Sequence, residues 1–324
     1  MFRAAWLAGL AGGALAGSTV VLHRQAHSMV VAGRQRSGTP VEIEKIRWGE
    51  DPERQSGQLY LPDPIVWSGG DRRPTYPVMV FFHGGGWTDT SGPEYCQAAA
   101  RDLARYGVAV WMPTYRGTPS PGGWPMTFDD AADGLDFVRH LGDHADFTPN
   151  LERVHVTGHS AGGQLAAWVS ARNAFPAGTP GVGSGPNADR VRVGSVTALS
   201  AVLDLDKAVT EDDDHWALDV MGGRPDEHPD RYRRVSPLRG LPSSVPVNVL
   251  HGRADSTVPL TTLRDYLERH AQTGNTGRVI LLDGAEHNDL VAVRGRPWAV
   301  AREVCLSSVG TQEDRPRAGG GATP

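Results

Sequence analysis

The apolar residues of the chain are grouped into short runs, with amphipathic, helix-like stretches between them. Residues 41–48 alternate apolar and polar positions, and six further runs are almost continuously apolar, as in strands covered on both faces. The six runs span residues 76–82, 108–115, 153–157, 196–202, 247–252 and 278–284. The helical patterns span residues 93–107, 128–142, 163–173 and 259–274. Strands that alternate with crossover helices predict an α/β fold with a doubly wound, mostly parallel sheet.

Two insertions interrupt this alternation, and neither is expected to form a separate domain. Residues 175–190 are a loop rich in glycine and proline. Residues 205–246 are longer and are interpreted as a small, cap-like helical insertion beside the site. Residues 307–324 are rich in glycine, proline and charge, which predicts a disordered tail. The α/β domain is therefore expected to span residues 36–306.

The N-terminal segment, residues 1–35, is interpreted as a signal peptide or an N-terminal anchor. It has Arg3, then an apolar run over residues 4–22, and the small-residue sequence A-L-A at 14–16. This pattern favours an exported or membrane-anchored protein over a cytoplasmic one, for which the segment would be an Ala/Gly-rich extension. Any membrane association is expected through this segment alone.

Composition bounds the class of protein and of partner. The 324 residues are 39% hydrophobic and 21% charged, which suits one large globular domain. The net charge of −5 gives no electrostatic reason to expect a nucleic acid partner. Cys96 and Cys305 have no metal-site or redox spacing, so unpaired thiols are the default and one disulfide is the alternative in an exported protein. The oligomeric state stays open.

A candidate nucleophile follows the strand at 153–157. Residues 158–162 read G-H-S-A-G, and a helical pattern begins directly after them. In a chain with 40 glycines the bare G-x-S-x-G spacing is a weak signal, but a strand before it and a helix after it are the context that a nucleophile turn requires. A serine there is strained, with its hydroxyl exposed at the carboxyl edge of the sheet. Ser160 is therefore the candidate.

A serine hydroxyl is a poor nucleophile unless a base, oriented by a third group, takes its proton. Asp255 follows the strand at 247–252, and His287 lies just beyond the last strand. Both are thus expected at the same sheet edge as Ser160, in the order serine, acid, histidine that this fold uses. Asp204 and Asp206, which follow the strand at 196–202, are the alternative acids.

The neighbouring polar residues have other interpretations. His251, at the end of its strand, is expected to be buried and hydrogen bonded. Glu286 and Asp289 are expected to be solvated or to form a turn. His215 and His228 lie in the cap-like insertion and are candidates for substrate contact.

Three consecutive glycines follow the strand at 76–82, in F-F-H-G-G-G-W. Glycines let a loop turn its amides into a cavity, where they stabilise the oxyanion that forms when a carbonyl is attacked. Gly84 or Gly85, together with Ala161, are the candidate donors. Trp87 either walls the acyl pocket or packs the loop. His159 is expected to turn away from the hydroxyl and to pack, and it joins Trp87 as a candidate pocket residue.

These segments resemble the α/β-hydrolase fold superfamily. V-M-V-F-F-H-G-G-G-W, P-T-Y-R-G-T-P, V-H-V-T-G-H-S-A-G-G-Q-L-A, S-P-L-R-G-L-P-S-S-V-P-V-N-V-L-H-G-R-A-D-S-T-V-P and G-A-E-H-N-D-L match it in order and spacing. The chain looks most like the esterase and lipase group with an HGG(G)-x-W oxyanion loop, over roughly residues 40–305. The resemblance implies Ser160 as nucleophile, Asp255 as acid, His287 as base and the Gly84–Gly85 loop as oxyanion hole. No metal or organic cofactor is implied.

The chain is also similar to arylformamidase and feruloyl-esterase-like proteins. His159 stands where the hormone-sensitive-lipase-like subgroup usually has aspartate, which favours the formamidase and small-esterase branch. The prediction is a serine esterase that cleaves carboxylic esters of small substrates through an acyl-enzyme intermediate. An arylformamidase or a peptidase of prolyl-oligopeptidase type is the alternative, because the sequence does not define the acyl pocket. A non-catalytic binding protein is more remote, since no member of the triad is missing.

Overall fold

The computed structural model describes residues 19–21, 38–68, 73–119, 121–182 and 190–310. A nine-stranded sheet runs through them in the order β1-β9-β8-β7-β6-β4-β5-β3-β2. Its strands are Thr19–Val21 (β1), Val41–Arg47 (β2), Ser56–Leu61 (β3), Thr75–Phe82 (β4), Ala109–Pro113 (β5), Thr148–His159 (β6), Ser195–Leu199 (β7), Val247–Gly252 (β8) and Arg278–Leu282 (β9). The β2–β3 and β3–β5 pairs are antiparallel, and the other six pairs are parallel. The predicted mostly parallel α/β sheet is confirmed.

Helices cover both faces of this sheet. They are Pro64–Ser68 (α1), Gln97–Ala104 (α2), Met126–Asp136 (α3), Ala161–Ala171 (α4), Leu205–Thr210 (α5), His215–Met221 (α6), Pro229–Val235 (α7), Arg264–Gln272 (α8) and Gly295–Val309 (α9). Short 3-10 helices add Pro93–Cys96, Phe137–Asp143, Arg172–Ala174, Pro237–Gly240 and His287–Leu290.

Strand β4 explains the two layers of the core. Successive side chains of a strand point to opposite faces, so a strand covered on both faces must be apolar throughout. Val78 and Val80 belong to a cluster that includes residues of α3 and α4, whereas Met79 and Phe81 belong to a second cluster with α2 and α9. Both faces of β4 are therefore covered by packed apolar side chains.

Strand β3 and helix α9 are among the elements that the sequence analysis does not predict. Strand β3, with the sequence S-G-Q-L-Y-L, contains a glycine and no clear alternation, yet it pairs with both β2 and β5. Helix α9 runs from Gly295 to Val309, three residues past the predicted domain boundary at residue 306. Ser308 belongs to its last turn because its Oγ donates to the Val304 carbonyl at 2.6 Å and accepts from Asn248 Nδ2 at 2.9 Å.

The N-terminal segment contributes only Thr19–Val21 to the described structure, as β1 parallel to β9. The signal peptide or anchor predicted for residues 1–35 otherwise lies outside the described residues, as does the tail from residue 311. In the described ranges, the helices lack the combined length and apolar character needed to cross a bilayer. Cys96 and Cys305 are buried, free thiols, which agrees with the default expectation.

Candidate active site

Ser160 occupies the sharp turn from β6 to α4. Its backbone has φ 56° and ψ −124°, a strained conformation for a residue with a side chain. The turn is held by the Ser160 N–H, which donates to the Leu199 carbonyl on β7 at 2.9 Å. Strand and helix pass so close that a Cβ on Gly158 would lie 2.1 Å from the carbonyl oxygen of Gly162. The two glycines of G-x-S-x-G are therefore a requirement of this turn.

Asp255 and His287 meet at the same edge of the sheet. Asp255 lies in the loop after β8, and its Oδ2 accepts from His287 Nδ1 at 2.8 Å. The other oxygen of the carboxylate accepts from the backbone N–H groups of Thr257 at 3.0 Å and Val258 at 2.9 Å. Because Nδ1 is the donor in this pair, Nε2 of a neutral His287 is the nitrogen that can accept a proton.

The carboxylate of Asp255 stays ionised although it is buried. Burial by itself raises the pKa of Asp255, but the hydrogen bond and positive field of His287 oppose this, together with the amide of Val258. The net result is a pKa below the ordinary value. At neutral pH the side chain is therefore an anion that fixes the orientation of the imidazole.

Ser160 and His287 both line a cavity of about 780 Å³ at this edge. Its wall also contains the glycine loop, residues from the 3-10 helices at 93–96 and 287–290, and Trp216 of α6. The Ser160 hydroxyl forms no hydrogen bond to another described residue, His287 included. The side chains of Ser160 and His287 therefore share the cavity without a hydrogen bond between them.

The amides of the glycine loop have different partners. Gly84 N–H donates to Tyr95 Oη at 2.6 Å, so it is not available to a ligand. Gly85, with φ 105°, and Ala161 both line the cavity, and among the described residues neither amide has an acceptor. Of the two glycines considered from the sequence, Gly85 is thus the one whose donor is free.

Trp87 and His159 are both tied into the protein by their ring nitrogens. The Trp87 indole is buried in the core and donates to Gln164 Oε1 on α4 at 3.1 Å, while one of its edges lines the cavity. The buried His159 ring lies beside His287, with 4.6 Å between ring centroids, and hydrogen bonds to Tyr95 and to the His287 carbonyl. It does not hydrogen bond to the serine hydroxyl.

The alternative acids are engaged elsewhere. Asp204 caps α5 by accepting from the Lys207 N–H at 3.2 Å, and Asp206 pairs with Arg239 at 3.4 Å. Neither carboxylate bonds to His287. His251 is fully buried, as expected, and donates from Nε2 to the Val258 carbonyl at 2.8 Å.

A second serine–histidine pair lies inside the sheet. His155 Nδ1 on β6 is 2.8 Å from Ser195 Oγ on β7, and that hydroxyl donates to the Ser308 carbonyl at 2.9 Å. Both side chains are buried, and a carboxylate is not among their hydrogen-bond partners. Since Ser195 Oγ donates its proton to a carbonyl, this pair is interpreted as part of the packing.

The structure does not suggest a metal centre in the part of the chain that it describes. Within that part, no group of three or more His, Cys, Asp or Glu side chains is arranged to hold a metal ion.

A comparison with protein-family models identifies the family of this chain. The BD-FAE family model matches residues 66–267, which is more than half of the chain and contains the serine turn, the glycine loop and Asp255. The chain belongs to the BD-FAE family. His287 lies beyond the matched part, but it is hydrogen bonded to Asp255, which lies within it.

Individual relatives agree with this assignment. Carboxylesterase 20 of Arabidopsis thaliana is 34% identical over 126 residues, 36% of this chain and 36% of that protein. Esterase LipQ of Mycobacterium tuberculosis is 26% identical over 210 residues, 62% of this chain and 48% of that protein. The chain thus spans about a third to a half of the length of the curated relatives it matches.

A solved structure, the inhibited esterase B from Lactobacillus rhamnosis, is similar over 84% of this chain and 85% of its own, with a TM-score of 0.66 and 23% identity. At that identity the likeness concerns the fold. The resemblance to the α/β-hydrolase esterase group is thereby confirmed as a relationship of fold and family.

Some residues of this BD-FAE site were not found from the sequence. Tyr95, on the 3-10 helix at 93–96, reaches the glycine loop with its hydroxyl, and Trp216 of the cap-like insertion packs against Gly86. The His215 ring lies against that of Trp216, tilted by 39° with 4.3 Å between ring centroids, and His215 lines a smaller adjoining cavity of about 220 Å³. His228 precedes α7 and is not among the residues that line the larger cavity. An aromatic residue in a helix of only one or two turns gives little periodic signal, so only coordinates could reveal these contacts.

Proposed function

We propose that this BD-FAE protein is a serine esterase that hydrolyses carboxylic esters of small substrates through an acyl-enzyme intermediate. The observation that carries the proposal is the 2.8 Å hydrogen bond between Asp255 and His287 at the rim of the cavity that Ser160 also lines. The esterase and carboxylesterase names of the relatives support the same class of substrate.

The first half of the reaction forms the acyl-enzyme. His287 Nε2 takes the proton of the Ser160 hydroxyl as Oγ forms a bond to the ester carbonyl carbon. The tetrahedral intermediate then breaks its bond to the alcohol oxygen, which leaves with the proton from His287. Asp255 holds the imidazole by Nδ1 throughout and stabilises the cation that forms during each transfer.

The free amides of Gly85 and Ala161 are the proposed donors to the oxyanion. They belong to different elements, the glycine loop and the first residue of α4, and both line the cavity beside Ser160. A preorganised donor of this kind contributes about 10²- to 10³-fold to kcat. Donors at a helix N-terminus also benefit from the partial positive charge there.

The second half returns the enzyme to its resting state. Water enters the site of the departed alcohol, His287 takes one of its protons, and the hydroxide oxygen bonds to the acyl carbon. The bond between that carbon and Ser160 Oγ breaks, the acid leaves, and the serine recovers its proton from His287. Apart from the ester and water, the steps use only groups of the chain itself.

Hydrolysis of p-nitrophenyl acetate by Ser160→Ala tests the proposal. We expect kcat to fall on the order of 10⁴-fold or more while the fold is retained. Ser195→Ala is the matched control, because it alters the other histidine-bonded serine, and its folded protein should keep activity within about twofold of wild type, as for changes away from a site. Near-wild-type turnover by Ser160→Ala would refute the assignment.

Two additions separate the alternatives. N-formylkynurenine and a dipeptide p-nitroanilide, assayed beside the esters, measure formamide and peptide cleavage. A higher kcat/KM on either would contradict the ester assignment. Labelling by a fluorophosphonate probe that is lost in Ser160→Ala is expected of a catalyst, whereas a binding scaffold would not be labelled.

A further inference from the structure

Three hydrogen bonds connect the glycine loop to the backbone of His287. Gly84 N–H donates to Tyr95 Oη at 2.6 Å, and Tyr95 Oη lies 3.1 Å from His159 Nδ1. His159 Nε2 lies 2.8 Å from the carbonyl oxygen of His287. These contacts, through the side chains of Tyr95 and His159, are called the Tyr95–His159 relay below. They join two loops that are far apart in the sequence.

Each contact of the relay has one direction. A carbonyl oxygen can only accept, so Nε2 of His159 carries a proton and donates it to His287. Burial, reinforced by the neighbouring His287 imidazole, lowers the pKa of His159 to about 3, so the ring is neutral and Nδ1 is an acceptor. Tyr95 must therefore donate its hydroxyl proton to Nδ1 while its oxygen accepts from Gly84.

We propose that Tyr95 and His159 are positioning residues. They hold the oxyanion donors and the general base in place relative to the nucleophile Ser160. This inference rests on the proposed function. Gly84 immediately precedes Gly85, whose amide is the proposed donor, and the carbonyl at the other end belongs to His287 itself. His159 is also the residue before Ser160, so the relay reaches all three parts of the reaction.

The packing around Gly84 leaves little freedom at this end of the relay. A Cβ there would lie 2.4 Å from Tyr95 Oη, 2.7 Å from the His159 carbonyl oxygen and 2.9 Å from Ser160 Cβ. The glycine loop thus lies directly on the nucleophile turn, and the hydrogen bond that the Gly84 N–H donates to Tyr95 Oη fixes which way the His83–Gly84 peptide faces. The next peptide, which carries the Gly85 N–H, is held separately, because its Gly84 carbonyl oxygen accepts from His83 Nδ1 at 2.8 Å; Tyr95 fixes the position of the Gly84 residue from which this peptide starts.

The other end of the relay adds a second anchor to His287. Asp255 holds its ring by Nδ1, and His159 holds its backbone, so both the position and the tilt of the imidazole are defined. A neutral His159 provides this contact without placing a second cation 4.6 Å from the ring that becomes charged during acyl transfer. A misplacement of reacting groups by 1 Å lowers the rate about 10²-fold.

Three substitutions separate the bonds of the relay. Tyr95→Phe keeps the ring and removes the hydroxyl that bonds both Gly84 and His159. His159→Asn keeps a polar group near Nδ1 but loses the donor to His287, whereas His159→Gln keeps a donor near Nε2. We expect kcat for p-nitrophenyl acetate, per active site titrated with a fluorophosphonate, to fall about 10- to 100-fold in Tyr95→Phe and His159→Asn. KM should change less than about threefold, and His159→Gln should recover part of kcat, since only positioning is affected.

Tyr106→Phe is the matched control, because its half-buried ring packs on Arg302 away from the cavity and it should keep kcat. A role in folding alone would lower the melting temperature and the number of titratable sites but leave kcat per site within twofold of wild type. That result in both Tyr95→Phe and His159→Asn would overturn the proposal.

Failure of the inference and failure of the proposed function give different results. Active wild-type enzyme with unaffected variants refutes the positioning role alone, whereas wild-type protein without turnover refutes the function and the role together.

The ¹⁵N chemical shifts of His159 test the relay without any variant. We expect a protonated Nε2 and a bare Nδ1, and a ring protonated at Nδ1 would overturn the relay.

Discussion

Replacing Asp255 by asparagine changes one atom of the site and leaves its volume the same. The Oδ1 oxygen that accepts from Thr257 and Val258 is kept, but the amide nitrogen then faces His287 Nδ1 across the present 2.8 Å contact. Two donors cannot share that contact, so the neutral imidazole moves its proton to Nε2. In this tautomer His287 cannot take the proton from Ser160.

The size of the effect follows from the loss of the base. In a serine protease the same change of tautomer lowers kcat about 10⁴-fold. At 1.36 kcal/mol for each factor of ten, this is about 5 kcal/mol of transition-state stabilisation. KM for a small ester should change little, because the carboxylate is buried behind His287 and does not line the cavity.

The assay is steady-state hydrolysis of p-nitrophenyl acetate at neutral pH, with the melting temperature followed by circular dichroism. Asp204→Asn is the matched control, since asparagine caps a helix as well as aspartate and the Asp204 side chain caps α5. We expect Asp204→Asn to retain kcat within about twofold, as a change outside the site does. The argument is refuted if Asp255→Asn keeps more than a tenth of the wild-type kcat, or if Asp204→Asn loses as much as Asp255→Asn.

Three further predictions concern the glycine loop, an acid away from the site and the thiols. Gly85→Ala should lower kcat at least about 10²-fold, because φ is 105° and the new Cβ would lie 2.2 Å from Ser91 Cβ, whereas Gly274→Ala, also at positive φ but in open space, should lower only the melting temperature. Burial, opposed by the Lys207 amide and reinforced by the nearby Asp206, raises the pKa of Asp204 from 3.8 to about 6, so the stability that the protonated carboxyl contributes at low pH is lost as the pH rises through that interval. Asp204→Asn should accordingly gain about 1–3 kcal/mol of unfolding free energy over wild type at pH 7.5 and nothing at pH 3.5, measured by urea denaturation. Burial raises the pKa of Cys96 to about 12 and of Cys305 to about 11, so Ellman's reagent at pH 8 should find no reactive thiol in the native protein and two after denaturation; one fast-reacting native thiol would contradict this.

The elements that position the site could be predicted because they depend on simple periodicity. Continuous apolar runs identify parallel strands, and parallel strands deliver the residues after them to one edge. The sequence therefore predicts that Asp255 and His287, more than thirty positions apart, lie at the same edge of the sheet. The G-x-S-x-G spacing alone is too short to identify a nucleophile. The prediction of Ser160 therefore rests on the strand before the motif and the helix after it.

The rest depends on contacts that local sequence does not encode. The Tyr95 hydroxyl accepts from the Gly84 amide and so leaves the Gly85 amide free for a ligand. Tyr95 lies in a one-turn helix without apolar periodicity, so the sequence does not predict this contact. Strand β3 is held by its neighbours β2 and β5 and not by its own pattern. The composition of residues 307–324, rich in glycine, proline and charge, predicts a tail from residue 307, yet Ser308 is bonded to the sheet through Asn248 on β8.

The most direct test of the central claim is a crystal structure of the protein after reaction with diethyl p-nitrophenyl phosphate. The account predicts phosphorus bonded to Ser160 Oγ, with the phosphoryl oxygen about 2.7–3.1 Å from the amides of both Gly85 and Ala161. His287 should remain bonded to Asp255, with Nε2 directed at the bridging oxygen. Phosphorus on another residue, or a phosphoryl oxygen turned away from both amides, would contradict the account.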